Sequence, residues 1–312
     1  MRPARLTFLS CAFLVLNLLA FMTVAAVLPT LIADWGMSNA QAGWLGGVFF
    51  AGYVVAVPVL VPLTDRVPPK RICLAGAVVS AAVSLGFAIL ADGFWSGMAL
   101  RFMAGVAMAG AYMPTLKILA DSLEEPWRSR AASYYTSVFA IGTAFSILAG
   151  GAIAELYGWR WSFAVAGIGN VVALAIGYLW LPAGKSDPGI RRGLIVDFRP
   201  VFRNRRAMGY ILAYAGHLWE AFTNRIWIVA FLTWMVLRDP GEGMFATPVM
   251  VATLVALCGV PVSMIAGEWA ARRNRNRVLY SIYAAALIAG LLLASSPFTG
   301  LPLDFVAVMA IV

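Results

Sequence analysis

Residues 6–32 read LTFLSCAFLVLNLLAFMTVAAVLPTLI, a stretch of 27 residues without a charged side chain. About 20 apolar residues are enough for a helix to cross the ~30 Å hydrocarbon core of a bilayer. Arg2 and Arg5 precede the stretch, as in a secretory signal peptide, but the apolar run is too long for a cleaved one. We therefore interpret it as a retained first membrane span.

The rest of the chain has the same character. Of its 312 residues 62% are hydrophobic and only 12% are charged, whereas a soluble domain carries about 25% charged residues. Further stretches long enough to cross a bilayer lie at 40–62, 72–91, 95–116, 131–154, 161–181, 208–236, 245–267 and 278–296. The fold class predicted is therefore an all-α polytopic membrane protein. A last apolar run, 303–312, is too short to span, so we expect a C-terminally truncated piece of a longer protein.

The basic residues alternate between the two sides of the predicted membrane. Arg160 and Arg238 fall in loops on one side, and Arg101 and Arg225 lie within spans. The other nineteen of the 23 Lys and Arg residues lie on the side of the N-terminus. Loops rich in Lys and Arg stay in the cytoplasm. We therefore expect a multi-pass protein of the inner (plasma) membrane with a cytoplasmic N-terminus. The net charge of +9 then reflects orientation, and no nucleic-acid partner is expected.

The chain lacks the residues that common enzyme and cofactor sites require. Cys11, Cys73 and Cys258 lie in apolar stretches without CxxC spacing, which indicates neither a disulfide framework nor a metal site. There is one histidine, and no HExxH, GxxxxGKS or nucleophile-elbow motif is present. We expect no enzyme, no cofactor and no metal.

The spans fall into two sets. Six spans occupy residues 1–181, a basic cytoplasmic connector covers 182–207, and a partial second bundle at 208–312 contains spans 7–9 and the start of span 10. Two sets of spans joined by a charged connector are the layout of transporters built from repeats.

Four motifs occur in matching loops and spans: Asp65-Arg66 with Lys70-Arg71 between spans 2 and 3, Arg101-x-x-x-Gly105-x-x-x-Ala109, Gly142-x-x-x-Ser146-Ile147-x-x-Gly150-Gly151, and Gly158-Trp159-Arg160-Trp161-Ser162-Phe163. With them the chain resembles the major facilitator superfamily. The resemblance implies that family's fold, two pseudo-repeated bundles of six helices that expose a central site alternately to each side. It also implies a cytoplasmic gate at Asp65 and Arg66. The antiporter version of the third motif has Gly-Pro where Ser146-Ile147 stand, which disfavours a drug/proton antiporter.

Ionisable residues inside spans are the candidates for a site, because a charge at mid-bilayer costs at least about 2.5–3.5 kcal/mol. Arg101 lies about two turns into span 4. Its side chain could extend back to the outer interface. The motif it belongs to implies instead an arginine that faces the central cavity and binds an anion or couples to protons, and we favour the cavity. Asn17 in span 1 is as compatible with a hydrogen bond between helices as with a substrate contact.

Span 7 contains the remaining ionisable residues. His217, Glu220 and Asn224 fall within about 60° of arc, with Arg225 displaced by about 80° from His217. Such a face must border protein or a water-filled cavity. Glu220 and Arg225 could simply neutralise each other or neighbouring charges. Alternatively, Glu220 or His217 takes up a proton while Asn224 and Arg225 contact substrate.

These residues predict a secondary active transporter that moves a small solute by alternating access. Arg101, Arg225 and Glu220 together carry one net positive charge, which favours a small anion, and a proton symporter is one option for coupling. The alternative is a transport-inactive membrane sensor or receptor that uses the same bundle. The expected partners are the solute, protons and the lipid bilayer, with a monomeric chain.

Overall fold

The computed structural model describes residues 2–186, 198–238, 244–272 and 275–311. Within these ranges the chain forms twelve α-helices and no strand. Their bounds are α1 Pro3–Leu18, α2 Thr23–Trp35, α3 Asn39–Leu63, α4 Pro69–Leu90, α5 Phe94–Ser122, α6 Trp127–Tyr157, α7 Trp159–Trp180, α8 Arg199–Arg203, α9 Arg205–Arg238, α10 Pro248–Arg272, α11 Arg275–Thr299 and α12 Leu303–Ile311. The protein is therefore an all-α polytopic membrane protein.

Seven helices in the described part of the chain are long and apolar enough to cross a membrane. They are Pro3–Trp35, which combines α1 and α2, the five helices α3 to α7, and Arg277–Thr299 of α11. The predicted span at 208–236 lies in α9, which has 34 residues but is not among the seven. Its polar side chains, which include the four candidates of span 7, lower its mean hydropathy.

The first span is two helices where the sequence predicts one. The helix stops at Leu18 and resumes at Thr23. Within the break, the N–H of Phe21 bonds to the backbone oxygen of Leu18 at 2.9 Å, a tighter turn than an α-helix. The chain has neither proline nor glycine here, so bonds from other helices are needed to satisfy the freed backbone groups.

Glycines set the closest helix contacts in the first bundle. A Cβ on Gly105 of α5 would overlap the backbone oxygen of Phe49, and one on Gly52 of α3 would overlap that of Phe102. The two backbones therefore touch through this reciprocal pair, as small residues allow in membranes. Gly47, which also lies on α3, has open space around its Cβ position.

The connector and the second set of helices follow. Part of the predicted 182–207 connector, residues 187–197, lies outside the described residues. The short helix α8 ends at Arg203, and α9 begins at Arg205, three residues before the predicted start of span 7. Helix α9 packs against α2 and α10, while α10 also packs against α6 of the first bundle.

Candidate functional site

The two sets of helices meet at one end of the molecule, which we call the Gly158 end because it includes the turn between α6 and α7. Phe222 of α9 packs against Phe50 and Phe21, with ring centroids 4.6 and 6.2 Å apart. Further along α9, Ile226 fills the space that a Cβ on Gly46 of α3 would occupy. Aromatic and aliphatic contacts thus close this end.

A second contact of the same kind joins α10 to α6. Val249, at the start of α10, lies where a Cβ on Gly151 of α6 would sit. Buried residues of α10 include Val251, Ala252 and Ala256, all in its first three turns. Both crossings between the bundles therefore lie toward the Gly158 end.

The opposite end carries Asp65 and is called the Asp65 end. No residue of α9 before Ile226 is buried, although this part of the helix is some twenty residues long. Tyr214 and Trp219 are among its exposed side chains. Among the described residues, α9 thus engages the first bundle only in its second half.

Arg101 lies inside the first bundle and does not reach the outer interface. Its side chain is buried at 3% exposure. Nη1 donates hydrogen bonds to the backbone oxygens of Ala20 at 3.3 Å and Phe21 at 3.1 Å, and the guanidinium lies 4.8 Å from the centre of the Phe49 ring. Nε has no hydrogen-bond partner among the described residues. The positive charge therefore caps the carbonyl end of α1, where the helix dipole is negative.

Ser146 of α6 completes the stabilisation of the break. Its Oγ donates to the backbone oxygen of Leu19 at 2.7 Å and accepts from the N–H of Met22 at 3.0 Å. Thr23 Oγ1 donates to the same Leu19 oxygen at 2.6 Å. The serine that stands where antiporters have glycine thus supplies two of the bonds that the interrupted helix needs.

An aromatic cluster lies between the two arginines of the membrane interior. It comprises Phe21, Phe49, Phe50, Phe139 and Phe222, whose neighbouring ring centroids are 4.6–6.2 Å apart. Arg101 stacks on one side of it, over Phe49, and Arg225 on the other, 5.4 Å from the centre of the Phe222 ring. Four of the rings come from the first bundle and one from α9, so the cluster spans both.

Arg225 differs from Arg101 in its partners. It is half-buried and has no ion pair with any residue in the described ranges. Asn224 beside it is half-buried as well. A cation without an acceptor at the junction of two bundles can attract an anion.

His217 and Glu220 do not join the arginines. His217 Nδ1 lies 3.8 Å from Glu220 Oε2, and both side chains are more than half exposed. They line an open pocket of about 620 Å³ between α9 and α11, with Tyr283 and Gly290 on its far side. The helical spacing predicted that the two side chains share a face, but this face borders a pocket beside α11 rather than the aromatic cluster.

The predicted gate residues interact within the first bundle. Asp65 Oδ1 lies 3.4 Å from Lys117 Nζ, which is also 3.7 Å from Asp121 Oδ2. Arg66 is half-buried. Arg273, on the equivalent loop of the second set of helices, lies outside the described residues. A latch between the bundles at Asp65 and Arg66 remains a prediction.

Asn17 contacts its own helix. Its Nδ2 donates to the backbone oxygen of Phe13 at 2.8 Å, and its Oδ1 has no partner among the described residues. Asn170, which lies on α7, donates from Nδ2 to Ser84 Oγ at 3.0 Å. No group of three His, Cys, Asp or Glu side chains in the described part could hold a metal ion.

Sequence reasoning missed the aromatic residues and Ser146. A phenylalanine in an apolar span gives no signal, because lipid-facing and core positions favour it equally. Tyr112 of α5 also escaped notice: its ring centroid lies 5.5 Å from that of Tyr135 and 5.5 Å from that of Phe139. Tyr112 therefore borders the aromatic cluster through Phe139.

Comparison with known proteins adds the family context. The sequence model of the Major Facilitator Superfamily matches residues 10–312. Human "Protein spinster homolog 1" is 28% identical over 180 residues, which is 56% of this chain and 34% of that protein. The "Gentisate transporter" of Corynebacterium glutamicum is 25% identical over 286 residues, 89% of this chain and 62% of that protein. The chain thus covers less than two thirds of either relative.

A solved structure has the same fold. It is described as a bacterial homolog to the human lysosomal transporter Spinster, in an inward-facing and unoccupied conformation. It aligns with a TM-score of 0.73 at 17% identity, over 99% of this chain and 72% of that one. At this identity the likeness extends to the fold.

Proposed function

This chain belongs to the major facilitator superfamily, and from that premise we propose that it acts as a secondary transporter which moves a small organic anion by alternating access. One observation supports the proposal most directly: the bundles are joined toward the Gly158 end through Phe222, and among the described residues no residue in the first half of α9 is buried against the first bundle. Two bundles that touch at one end only can rock about that contact. In alternating access the closed end changes during each cycle.

The proposed direction follows from the charge pattern. With the N-terminus in the cytoplasm of a plasma membrane, the Asp65 end faces the cytoplasm and the described conformation is open to that side. The two bundles would be residues 1–181 and 208–312, with 182–207 as the cytoplasmic connector, and the chain would act as a monomer.

The proposed solute is an anion with an apolar or aromatic body. Arg225 supplies a half-buried positive charge without an ion-pair partner among the described residues, next to Phe222 and Phe50. Tyr112, whose ring meets Phe139 of the cluster, adds a hydroxyl group from the first bundle. Aromatic rings can stack on a flat solute while an arginine pairs with its carboxylate. The similarity to a gentisate transporter supports this class, since gentisate is an aromatic carboxylate.

Proton coupling is assigned to His217 and Glu220. The carboxylate and the imidazole lie 3.8 Å apart, and both side chains line the α9–α11 pocket. Arg101, in contrast, donates hydrogen bonds to backbone oxygens, and its proposed role is to stabilise the span 1 break rather than to bind solute.

Uptake by proteoliposomes tests the proposal. The purified chain is reconstituted and the accumulation of radiolabelled gentisate and benzoate is followed with and without an inward proton gradient. We expect gradient-driven uptake, loss of at least tenfold in Arg225→Leu, and partial activity in Arg225→Lys, which keeps the charge but not the planar fork.

Arg238→Leu is the matched control, because Arg238 ends the same helix and stacks on Trp234 at 5.6 Å, away from the cluster. Equal losses in the Arg225 and Arg238 variants would refute the assignment of the anion site. Saturable binding of gentisate without any uptake would instead favour the sensor or receptor.

A further inference from the structure

The first bundle contains a small, partly open cavity beside the break in span 1. Its volume is about 20 Å³. The polar side chains that line it are Asn17 of α1, Ser80 and Ser84 of α4, and Asn170 of α7. A cavity needs roughly 10–15 Å³, measured as room for the centre of a water-sized sphere, to hold one water. This one has room for a single small ligand.

Two hydrogen-bond acceptors in this cavity lack donors. Asn17 and Asn170 are 6% and 1% exposed, and each uses its Nδ2 in a bond, to Phe13 and Ser84 respectively. The Oδ1 of each has no partner among the described residues. Buried amide oxygens in folded proteins are almost always paired, with protein or with ordered water.

From this geometry we infer that the cavity binds one water molecule, which donates its two hydrogens to Asn17 Oδ1 and Asn170 Oδ1. The hydroxyl groups of Ser80 and Ser84 are available as donors to its oxygen. Water is the one common ligand that has two donors and two acceptors in so small a volume. It would link α1, α4 and α7 beside the break.

The charge around the cavity favours water over a sodium ion. No carboxylate lines it. Ala20 and Phe21 do, and their backbone oxygens already accept hydrogen bonds from the Arg101 guanidinium. The carbonyl groups at the span 1 break would attract a cation, and Arg101 already occupies that position. A second positive charge nearby would be repelled.

Radiolytic footprinting of the purified chain in detergent tests the inference, because hydroxyl radicals formed from a bound water oxidise the side chains next to it. Met108 lines the cavity at 5% exposure. Met22 and Met235, at 1% and 3% exposure, do not line it and serve as internal controls. We expect Met108 to oxidise several-fold faster than either.

Variants locate the water. Asn170→Leu keeps the shape of the side chain but replaces its amide by methyl groups and so removes one acceptor, and the oxidation of Met108 should fall to the rate of Met235. Thr143→Val should change nothing, because Thr143 is buried on α6 and bonds only to its own helix at Phe139. Asn17→Leu gives the same test should Asn170→Leu not fold.

Two outcomes would overturn the inference. Oxidation of Met108 in the unmodified chain at the slow rate of Met22 and Met235 would mean that the cavity is dry. A melting temperature that rises in sodium chloride relative to choline chloride, and no longer does so in Asn170→Leu, would mean that the ligand is sodium.

Discussion

Replacing Ser146 by alanine tests how much its two hydrogen bonds stabilise the span 1 break, because the substitution removes the hydroxyl group and leaves the rest of the packing in place. Ser146 is fully buried, and its Oγ bonds to the backbone oxygen of Leu19 and the N–H of Met22. The Leu19 oxygen keeps its bond from Thr23. The Met22 N–H would have no hydrogen-bond partner left among the described residues, and Met22 is only 1% exposed.

The expected cost follows from these two bonds. Leaving a buried N–H unpaired costs about 1–3 kcal/mol, and the lost hydroxyl-to-carbonyl bond adds about 0.5–1.5 kcal/mol. We therefore expect Ser146→Ala to lower the free energy of unfolding by about 2–4 kcal/mol. For a chain of this size that corresponds to a fall in melting temperature of roughly 3–6 °C.

Ser10 provides the matched control. It is also fully buried, on α1, but its Oγ has no hydrogen-bond partner among the described residues. A buried hydroxyl without a partner is unfavourable. Ser10→Ala, which deletes the same atom, should therefore leave the melting temperature unchanged or raise it slightly.

The buried thiol of Cys73 gives the readout. It is fully buried and lies 3.2 Å from Thr115 Oγ1, so a fluorogenic maleimide reaches it only on unfolding. Cys11 and Cys258 are half-buried and are replaced by alanine to reduce the background. Equal melting temperatures for the Ser146 and Ser10 variants in this background would refute the role given to Ser146.

Three further perturbations test other features. Gly105→Ala places a Cβ on a backbone oxygen of α3 and should lower the free energy of unfolding by about 2 kcal/mol or more. Gly47→Ala places its Cβ in open space, so this variant should have the melting temperature of the unmodified chain. Phe222→Ala removes the ring that joins the bundles and should raise the leak of preloaded solute from proteoliposomes several-fold, unlike Trp234→Ala on an exposed site of the same helix. Glu220→Gln should abolish gradient-driven accumulation but spare exchange; unchanged accumulation would reject proton coupling at this residue.

The sequence is sufficient to predict the fold class. Apolar stretches of bilayer length, together with four motifs in matching places, indicated an all-α membrane protein with this family's fold, and both conclusions are confirmed. The reason is physical: a chain in lipid must satisfy its backbone within helices, so length and hydropathy leave few alternatives.

The break at Leu19–Met22 could not be predicted, because its cause lies elsewhere in the chain. Helix interruptions are usually signalled by proline or glycine, and this segment has neither. The groups that stabilise it are Arg101, which is 80 residues from Phe21 along the chain, and Ser146, which is 127 residues from Leu19. Only their positions in space show what they do.

Helical spacing likewise predicted which side chains of α9 share a face, but not which other helices that face contacts. The angular spacing placed His217 and Glu220 together, and their side chains are 3.8 Å apart. It could not show that they border α11, because that depends on how α9 is rotated against other helices. The contact between Arg225 and the Phe222 ring, in contrast, follows from their i,i+3 spacing on α9 and does not depend on that rotation.

Arg101 and Arg225 show that two residues of the same type inside a membrane can have different roles. Each carries a charge that costs at least about 2.5–3.5 kcal/mol at mid-bilayer, so each must be compensated. For Arg101 the first bundle supplies this compensation. The guanidinium donates hydrogen bonds to the backbone oxygens of Ala20 and Phe21 and lies over the Phe49 ring. For Arg225 the described residues supply the Phe222 ring and no carboxylate. A cation–π contact contributes about 0.5–2 kcal/mol, which leaves part of that cost uncompensated. The proposed anion site therefore uses Arg225, and the proposal predicts that loss of Arg225 abolishes anion transport while the first bundle stays folded.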